Sequence, residues 1–296
     1  MLYHVRHVTT YEYATRVTAS QHVMRLRPRL TDNQVCASSE VAIEPSPGRR
    51  TARDDYFGNR MELVTLDEPH DKLVIDARSI VRVSRRRPRD IEMTAAWDTI
   101  GDTLSTARHD AEIEAAQFMF DTPLTRAERD LLRYAEDDFT PGRPVALAAR
   151  DLMHRVRRDI KYKPGVTDAS TPVDKVFELE AGVCQDQSHV MLAVLRARGI
   201  AARYVSGYLM TRPPPGRPKL QGADQSHAWV GVWCPPLGWI DFDPTNGILP
   251  DDEHITLAYG RDYADISPIS GIMLGGGEHE VEVGVDVAPV EEANAA

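Results

Sequence analysis

The sequence predicts an α+β protein: an N-terminal antiparallel β module over residues 1–90, a linker with one short helix over 91–143, a helix-and-sheet domain over 144–270, and a C-terminal strand and tail over 271–296. Three observations predict it. Apolar residues alternate with a period of two through the first 86 positions, which suits half-buried strands. An apolar helical run opening at Cys184 is then followed by three strand-like segments, the order of an α+β domain. Finally, 42% hydrophobic and 27% charged residues over 296 positions describe a globular chain of about two domains.

Within the β module, Tyr3, Val5, Thr9, Tyr11 and Tyr13 share one strand face, and Leu73, Ile75, Ala77, Val81 and Val83 share another. Strands are also expected over His22–Leu26, Val35–Ile43 and Met61–Leu66, separated by turns such as Gly58-Asn59. The Arg85–Asp90 stretch reads as a solvated loop closing the module, and the weak periodicity of Ile91–Pro123 reads as linker. Thr125 with Glu128 three residues later resembles a capping box, so a short helix is expected through Ala135. A second helix should cover Val145–Ile160, with Ala149, Leu152, Met153, Val156 and Ile160 as its apolar stripe. A third should cover Pro172–Leu179, and a fourth Cys184–Arg198, stopped by Gly199. Strands follow at Ala202–Met210, Ala228–Cys234 and Trp239–Phe242, with the proline-rich Arg212–Pro218 as a surface loop. The alternation of Val281, Val283, Val285 and Val287 predicts a last strand.

Charge and cysteine content narrow the function. With 35 Lys+Arg against 45 Asp+Glu, the net charge of −10 and a pI near 5.5 argue against a nucleic-acid partner, which needs clustered positive charge. No apolar run approaches the roughly 20 residues of a membrane span, and Met1–Tyr13 lacks the apolar core of a signal peptide, so no membrane partner and a cytoplasmic location are expected. Cys36, Cys184 and Cys234 form no C-x-x-C pair and no disulfide framework.

Cys184 stands apart from the other two. In Gly182-Val183-Cys184-Gln185-Asp186-Gln187-Ser188-His189 it opens a helix, where unpaired backbone N–H groups favour a thiolate. A thiolate nucleophile needs a proton carrier, and the carrier an orienting acceptor. Ser226-His227-Ala228-Trp229-Val230 supplies the histidine at a strand start, and the segment Gly238–Gly247 supplies an acid at a strand end, Asp243. Two antiparallel strands joined through Pro235–Gly238 would set His227 beside Asp243. Asp241 would face the same side of its strand and competes for the same role.

These blocks, together with Arg196–Tyr208 and Gly238–Asn246, resemble the transglutaminase-like superfamily of papain-fold cysteine enzymes in its bacterial branch. Arg25–Arg29, Gln34 and Asp55–Asn59 resemble the β domain that precedes the catalytic domain in bacterial members, and Gly260–Pro268 extends the likeness toward the C-terminus. The resemblance implies a papain-like catalytic domain with Cys184 as nucleophile, His227 as base and Asp243 as orienting acid. The backbone N–H of Cys184 is one oxyanion donor, and Tyr162 is the candidate for the second. Trp229 is carried forward as a substrate contact, although aromatic residues on adjacent strands also fit core pairs, as Trp233 and Trp239 do.

Two bland roles complete the reading. Asp186 is a charge partner of the helix N-terminus, and His189 with His227 and Asp243 falls short of a four-ligand zinc site. No metal and no cofactor is called for. The expected reaction is thiol-dependent acyl transfer at an amide or peptide bond of a peptide or protein substrate, with hydrolysis ahead of transfer to an amine. A catalytically silent peptide-binding module on the same fold is the alternative of another class. Nothing in the sequence bears on oligomeric state.

Overall fold

The computed structural model describes residues 1–127, 131, 133–211 and 224–290. Its spine is β1 (Leu2–Met24), in which Tyr3, Val5, His7, Thr9 and Tyr13 are buried on one face, as the period of two requires. The strands β2 (Gln34–Glu44), β3 (Arg49–Asp54), β4 (Arg60–Leu66) and β5 (His70–Val83) complete the antiparallel order β2-β5-β1-β4-β3. The segment His22–Leu26, expected as a separate strand, is the far end of β1. The exposed run Ala14, Thr15 and Arg16 interrupts the alternation where the register with β5 shifts, and beyond it β1 pairs with β4 instead. β3 went unseen because all six of its residues are exposed, with no apolar face to read.

Residues 91–123 are not a linker. Three 3₁₀ turns accompany α1 (Ile100–Ser105) and α2 (Asp110–Ala116), and Ile100, Leu104, Ala115 and Phe118 enter the main core. Helices of six and seven residues make less than two turns, too short to display an i, i+3, i+4, i+7 stripe. Nor does Thr125 cap a helix as expected: its hydroxyl accepts from the Thr122 N–H at 3.1 Å and from Arg196 Nη1 at 2.9 Å. Much of that expected helix, residues 128–130 and 132, lies outside the described residues.

The remaining helices follow their patterns. α3 (Val145–Asp159) buries seven residues along one stripe. Then come β6 (Lys161–Tyr162), α4 (Val173–Leu179), β7 (Ala181–Gly182) and α5 (Cys184–Arg196). Every residue of α5 from Asp186 to Arg196 is buried, so it is the central helix of the domain. Against it lies a sheet of order β10-β9-β8-β11, built from β8 (Ala202–Leu209), β9 (Gln225–Trp233), β10 (Trp239–Phe242) and β11 (His254–Gly260). The expected loop Arg212–Pro218 lies outside the described residues. β11 was not anticipated: its polar–apolar alternation, His254 to Leu257, covers only four residues, and its first five residues are all buried, as befits a strand covered on both faces.

After the single-turn α6 (Tyr263–Ile266), the chain returns to the first sheet. β12 (Ile269–Gly275) and β13 (His279–Pro289) pair antiparallel with β1, from Val17 to Met24 and from Tyr3 to Tyr13 respectively. The two sheets are joined by buried amide side chains that imitate strand pairing. Gln34 donates to the Thr256 carbonyl at 2.7 Å and accepts from the Thr256 N–H at 2.8 Å; Asn59 does the same for Tyr259, both at 2.8 Å. His7 adds a 2.9 Å bond to Tyr208 Oη. Among the described residues, no helix is long and apolar enough to cross a membrane.

Candidate active site

Cys184 is the first residue of α5 and half-buried. Asp186 folds back over the chain before it, accepting from the Val183 N–H and from Thr167 Oγ1, both at 2.7 Å. That satisfies one of the orphan donors of the helix start and leaves the sulfur at the mouth of the helix. Burial raises the Asp186 carboxyl above its ordinary pKa, and its position is structural, as expected. Gly182 must lack a side chain, because a Cβ there would lie 2.6 Å from Asp186.

His227 sits on β9 opposite Gly207 of β8 and is 7% exposed. Its Nε2 lies 2.8 Å from Asp243 Oδ2, and the ring shares a cleft with Cys184. Burial alone would depress its pKa. The hydrogen bond to Asp243, with the electrostatic influence of Asp243 and Cys184, outweighs burial and pushes it up to about 10.

Asp243 is fully buried at the end of β10, where the chain turns through Pro244-Thr245-Asn246-Gly247. Its Oδ1 accepts from the N–H groups of Thr245 at 2.9 Å and Asn246 at 3.1 Å, and its Oδ2 from Asn246 Nδ2 at 2.7 Å. Burial opposes ionisation, but these donors and His227 hold the carboxyl well below the ordinary carboxylate range. The competing Asp241 faces elsewhere: its Oδ2 accepts from Arg85 Nη1 at 2.8 Å and from Trp229 Nε1 at 3.1 Å. Arg85 is therefore a buried ion-pair partner and not part of a solvated run, because β10 offers it a desolvated carboxylate.

Trp229 does not wall a groove. It is 0% exposed, packed edge-on against His254 with its ring 6.1 Å from that of His227. Alternation along β9 sends its ring into the interior over Gly207, where any Cβ would stand 2.4 Å from it. Its part is to pack the floor under His227.

One residue of the cluster carried no sequence signal. His254, at the start of β11, is fully buried with Nε2 3.2 Å from Asp243 Oδ2 and Nδ1 3.1 Å from Asp251 Oδ1. It bridges two carboxylates and extends the chain Cys184–His227–Asp243 by one further group. The ligand atoms of His227, Asp243 and His254 lie within 4.8 Å of one another, and each is engaged in the hydrogen bonds just given. His189 stands apart from this cluster: its Nε2 accepts from the Tyr263 N–H at 3.2 Å, and burial with the Arg196 charge pushes its pKa down to about 3.

Cys184 and His227 open onto a cleft of about 780 Å³. Tyr162 and Tyr204 line one side; His7, Tyr11, Val281 and Val283 from β1 and β13 line the other. Tyr162 is 47% exposed on β6, beside Gly182, and burial with the Cys184 charge raises its pKa, so the phenol keeps its proton as a donor. The other thiols are placed differently. Cys36 lies half-buried on β2, bonded to the Ser38 carbonyl at 3.2 Å, and Cys234 is fully buried, which pushes its thiol far above the ordinary range.

The comparisons with known proteins agree in both halves of the chain. Residues 3–82 match the family model of the bacterial transglutaminase-like N-terminal region, and residues 134–244 match that of the transglutaminase-like superfamily. An uncharacterized protein of Mycobacterium tuberculosis is 38% identical over 299 residues, spanning 98% of this chain and 93% of its own. A protein-glutamine gamma-glutamyltransferase of Pseudomonas aeruginosa is 36% identical over 136 residues, 45% of this chain and 20% of that protein. The solved structure of a candidate cysteine protease from Cytophaga hutchinsonii shares the fold, with a TM-score of 0.76 at 19% identity over 97% of this chain and 90% of its own. Taken with the α+β architecture and a cysteine at the start of a helix that shares a cleft with a histidine, these matches show that the chain belongs to the transglutaminase-like superfamily.

Proposed function

We propose that the protein is a thiol hydrolase acting on amide or peptide bonds, with Cys184 as nucleophile, His227 as proton carrier and Asp243 as the acid that orients it. The observation that carries this is one imidazole bonded to a buried carboxylate 2.8 Å away and opening onto the same cleft as a thiol at the first position of a helix. With Nε2 committed to Asp243, Nδ1 is the nitrogen that exchanges a proton with sulfur. A His227 cation held to high pH matches a thiolate–imidazolium pair. The thiolate attacks the carbonyl carbon, and the oxyanion forms beside the Cys184 backbone N–H and the Tyr162 phenol. His227 then delivers its proton to the departing amine, leaving a thioester on Cys184. Water attacks the thioester, giving its proton to His227, and the acid leaves as the thiolate reforms.

Hydrolysis is favoured over amine transfer by the charge of the cleft. A lysine-like acceptor needs an anionic partner to compete with water. Among the described residues lining the cleft the carboxylate is that of Asp224, and it accepts from the N–H groups of Thr211 and Val287, both at 2.6 Å. The apolar Val281 and Val283 wall instead suits an apolar stretch of peptide. The relationship to the Pseudomonas transglutaminase keeps amine transfer as the second reading.

Mass spectrometry of a peptide library incubated with enzyme and a primary amine distinguishes the two: cleaved or deamidated peptides support hydrolysis, and amine adducts support transfer. Cys184→Ala should keep its cooperative unfolding while turnover falls by several orders of magnitude. A variant keeping more than about 1% of the rate would remove Cys184 as nucleophile.

A further inference from the structure

A second cavity, of about 640 Å³, shares no lining residue with the Cys184 cleft. Tyr204 and Ser206 of β8 face the cleft; Arg203, one position earlier, faces the second cavity with Trp239, Asp241 and Tyr259. Arg203 is 7% exposed, its guanidinium set 4.2 Å from the centre of the Trp239 ring and 3.6 Å from that of Tyr259. Stacking satisfies its faces but not its edge, and its Nε has no acceptor among the described residues. Two more buried donors lining the same cavity lack one there: Arg85 Nε and Trp233 Nε1.

The surrounding charges leave that demand unmet. Asp241 Oδ2 is held by Arg85 and Trp229; its Oδ1 flanks Gly231 together with Arg203 Nε but accepts no hydrogen bond from it, and Asp32 and Glu114 are exposed at the rim. Arg29, also in the wall, is held below its ordinary pKa by burial and by the repulsion of Arg203. Buried, clustered cations with open donor edges call for an anion, and guanidinium edges match planar or tetrahedral oxyanions.

We infer that this cavity is a binding site for an oxyanion, the carboxylate or phosphate group of a small molecule, held by Arg203 Nε, Arg85 Nε and Trp233 Nε1. Trp239 and Tyr259 hold the Arg203 guanidinium flat, so that its edge is presented to the ligand. The inference is independent of the proposed reaction, because none of these donors belongs to the Cys184 cleft.

Isothermal titration calorimetry at constant ionic strength, with benzoate and with inorganic phosphate as probes and chloride as control, tests it. Saturable binding of one or both probes, absent for chloride, is expected; benzoate alone marks a carboxylate site and phosphate alone a phosphate site. Arg203→Met should abolish binding. Trp233→Phe keeps the ring and removes one donor to a charged group, so affinity should fall roughly 10-fold with an unchanged circular dichroism spectrum. Binding lost in R203M but unchanged in W233F would keep the site and drop Trp233 from it. The inference is overturned if neither probe binds saturably, if chloride titrates equally, or if both variants bind like the wild type. Should R203M fail to fold, Arg203→Lys, which keeps the charge but removes the Nε donor, takes its place, and wild-type binding by both R203K and W233F overturns it.

Discussion

Replacing Asp243 with Asn separates the proposed orienting acid from its neighbour, and the structure sets the size of the effect. The Asp243 Oδ1 accepts from two backbone N–H groups, so the amide oxygen of Asn is drawn to that side. Its NH₂ would then face His227 Nε2, Asn246 Nδ2 and His254 Nε2, where a charged oxygen now sits at 2.8, 2.7 and 3.2 Å. Donor meets donor. The imidazole can answer only by presenting a bare Nε2, which moves its proton to Nδ1 and removes the lone pair that must accept the thiol proton. Loss of the charge-assisted bond together with the wrong tautomer corresponds to about 4–6 kcal/mol of barrier, a fall of roughly 10³–10⁴ in kcat. Asp241→Asn keeps a carbonyl oxygen for Arg85 and Trp229 and loses only charge, so it should cost about 1–3 kcal/mol of stability and less than roughly 10-fold in kcat. The assay is steady-state cleavage of a fluorogenic peptide selected from the library, with KM and kcat resolved for both variants. A severe Asp241 defect beside a near-normal Asp243 variant would refute the assignment, and two mild defects would refute the triad.

Three further outcomes are expected. Because His227 is pushed up from 6.5 to about 10, the stability its cation contributes is fully present below about pH 6.5 and is lost as pH rises through about 10; denaturation midpoints and kcat/KM measured across that range should fall together on the alkaline side, and a flat profile would contradict the ion pair. His254→Phe removes the bond to Asp243 at 3.2 Å, so kcat should drop roughly 10-fold with KM unchanged, and a wild-type kcat would exclude His254 from positioning the acid. Gln34→Ala leaves the buried Thr256 N–H without an acceptor, while its carbonyl keeps the Arg29 N–H at 3.0 Å, and chemical denaturation should show a loss of about 1–3 kcal/mol; a change below about 0.5 kcal/mol would mean this amide does not fasten the sheets.

What was legible in the sequence was local. The α3 stripe, the Cys184 opening of α5 and the strands around His227 and Asp243 each follow from the chemistry of a few adjacent residues, and the structure places them within three residues of expectation, the His227 strand starting three residues earlier, at Gln225. The unreadable parts fail for different physical reasons. α1 and α2 are too short for a period, β3 has no apolar face, and the alternation of β11 covers only His254 to Leu257. Trp229 was ambiguous because alternation gives the side of a strand without saying what covers that side. His254 was invisible because its partner lies 11 positions away across a turn, and an isolated histidine carries no spacing by which to recognise it.

The cleft itself could not be read from any single segment, because its two walls come from opposite regions of the chain. Cys184 and His227 stand on one side, whereas the facing wall takes Tyr11 from β1 and Val281 and Val283 from β13, strands that pair over Tyr3–Tyr13 although some 270 positions separate them. Asp224 ties that wall down: its N–H donates to the Val285 carbonyl at 3.0 Å and its carboxylate accepts from the Val287 N–H at 2.6 Å. The alternation that left Val281 and Val283 half-exposed on an otherwise ordinary strand is thus the mark of a face that meets a cavity rather than a core. Contacts of such separation form only after loop-closure entropy has been overcome, so the substrate-facing surface depends on the most non-local pairings of the fold, while the reactive groups sit on its most local ones.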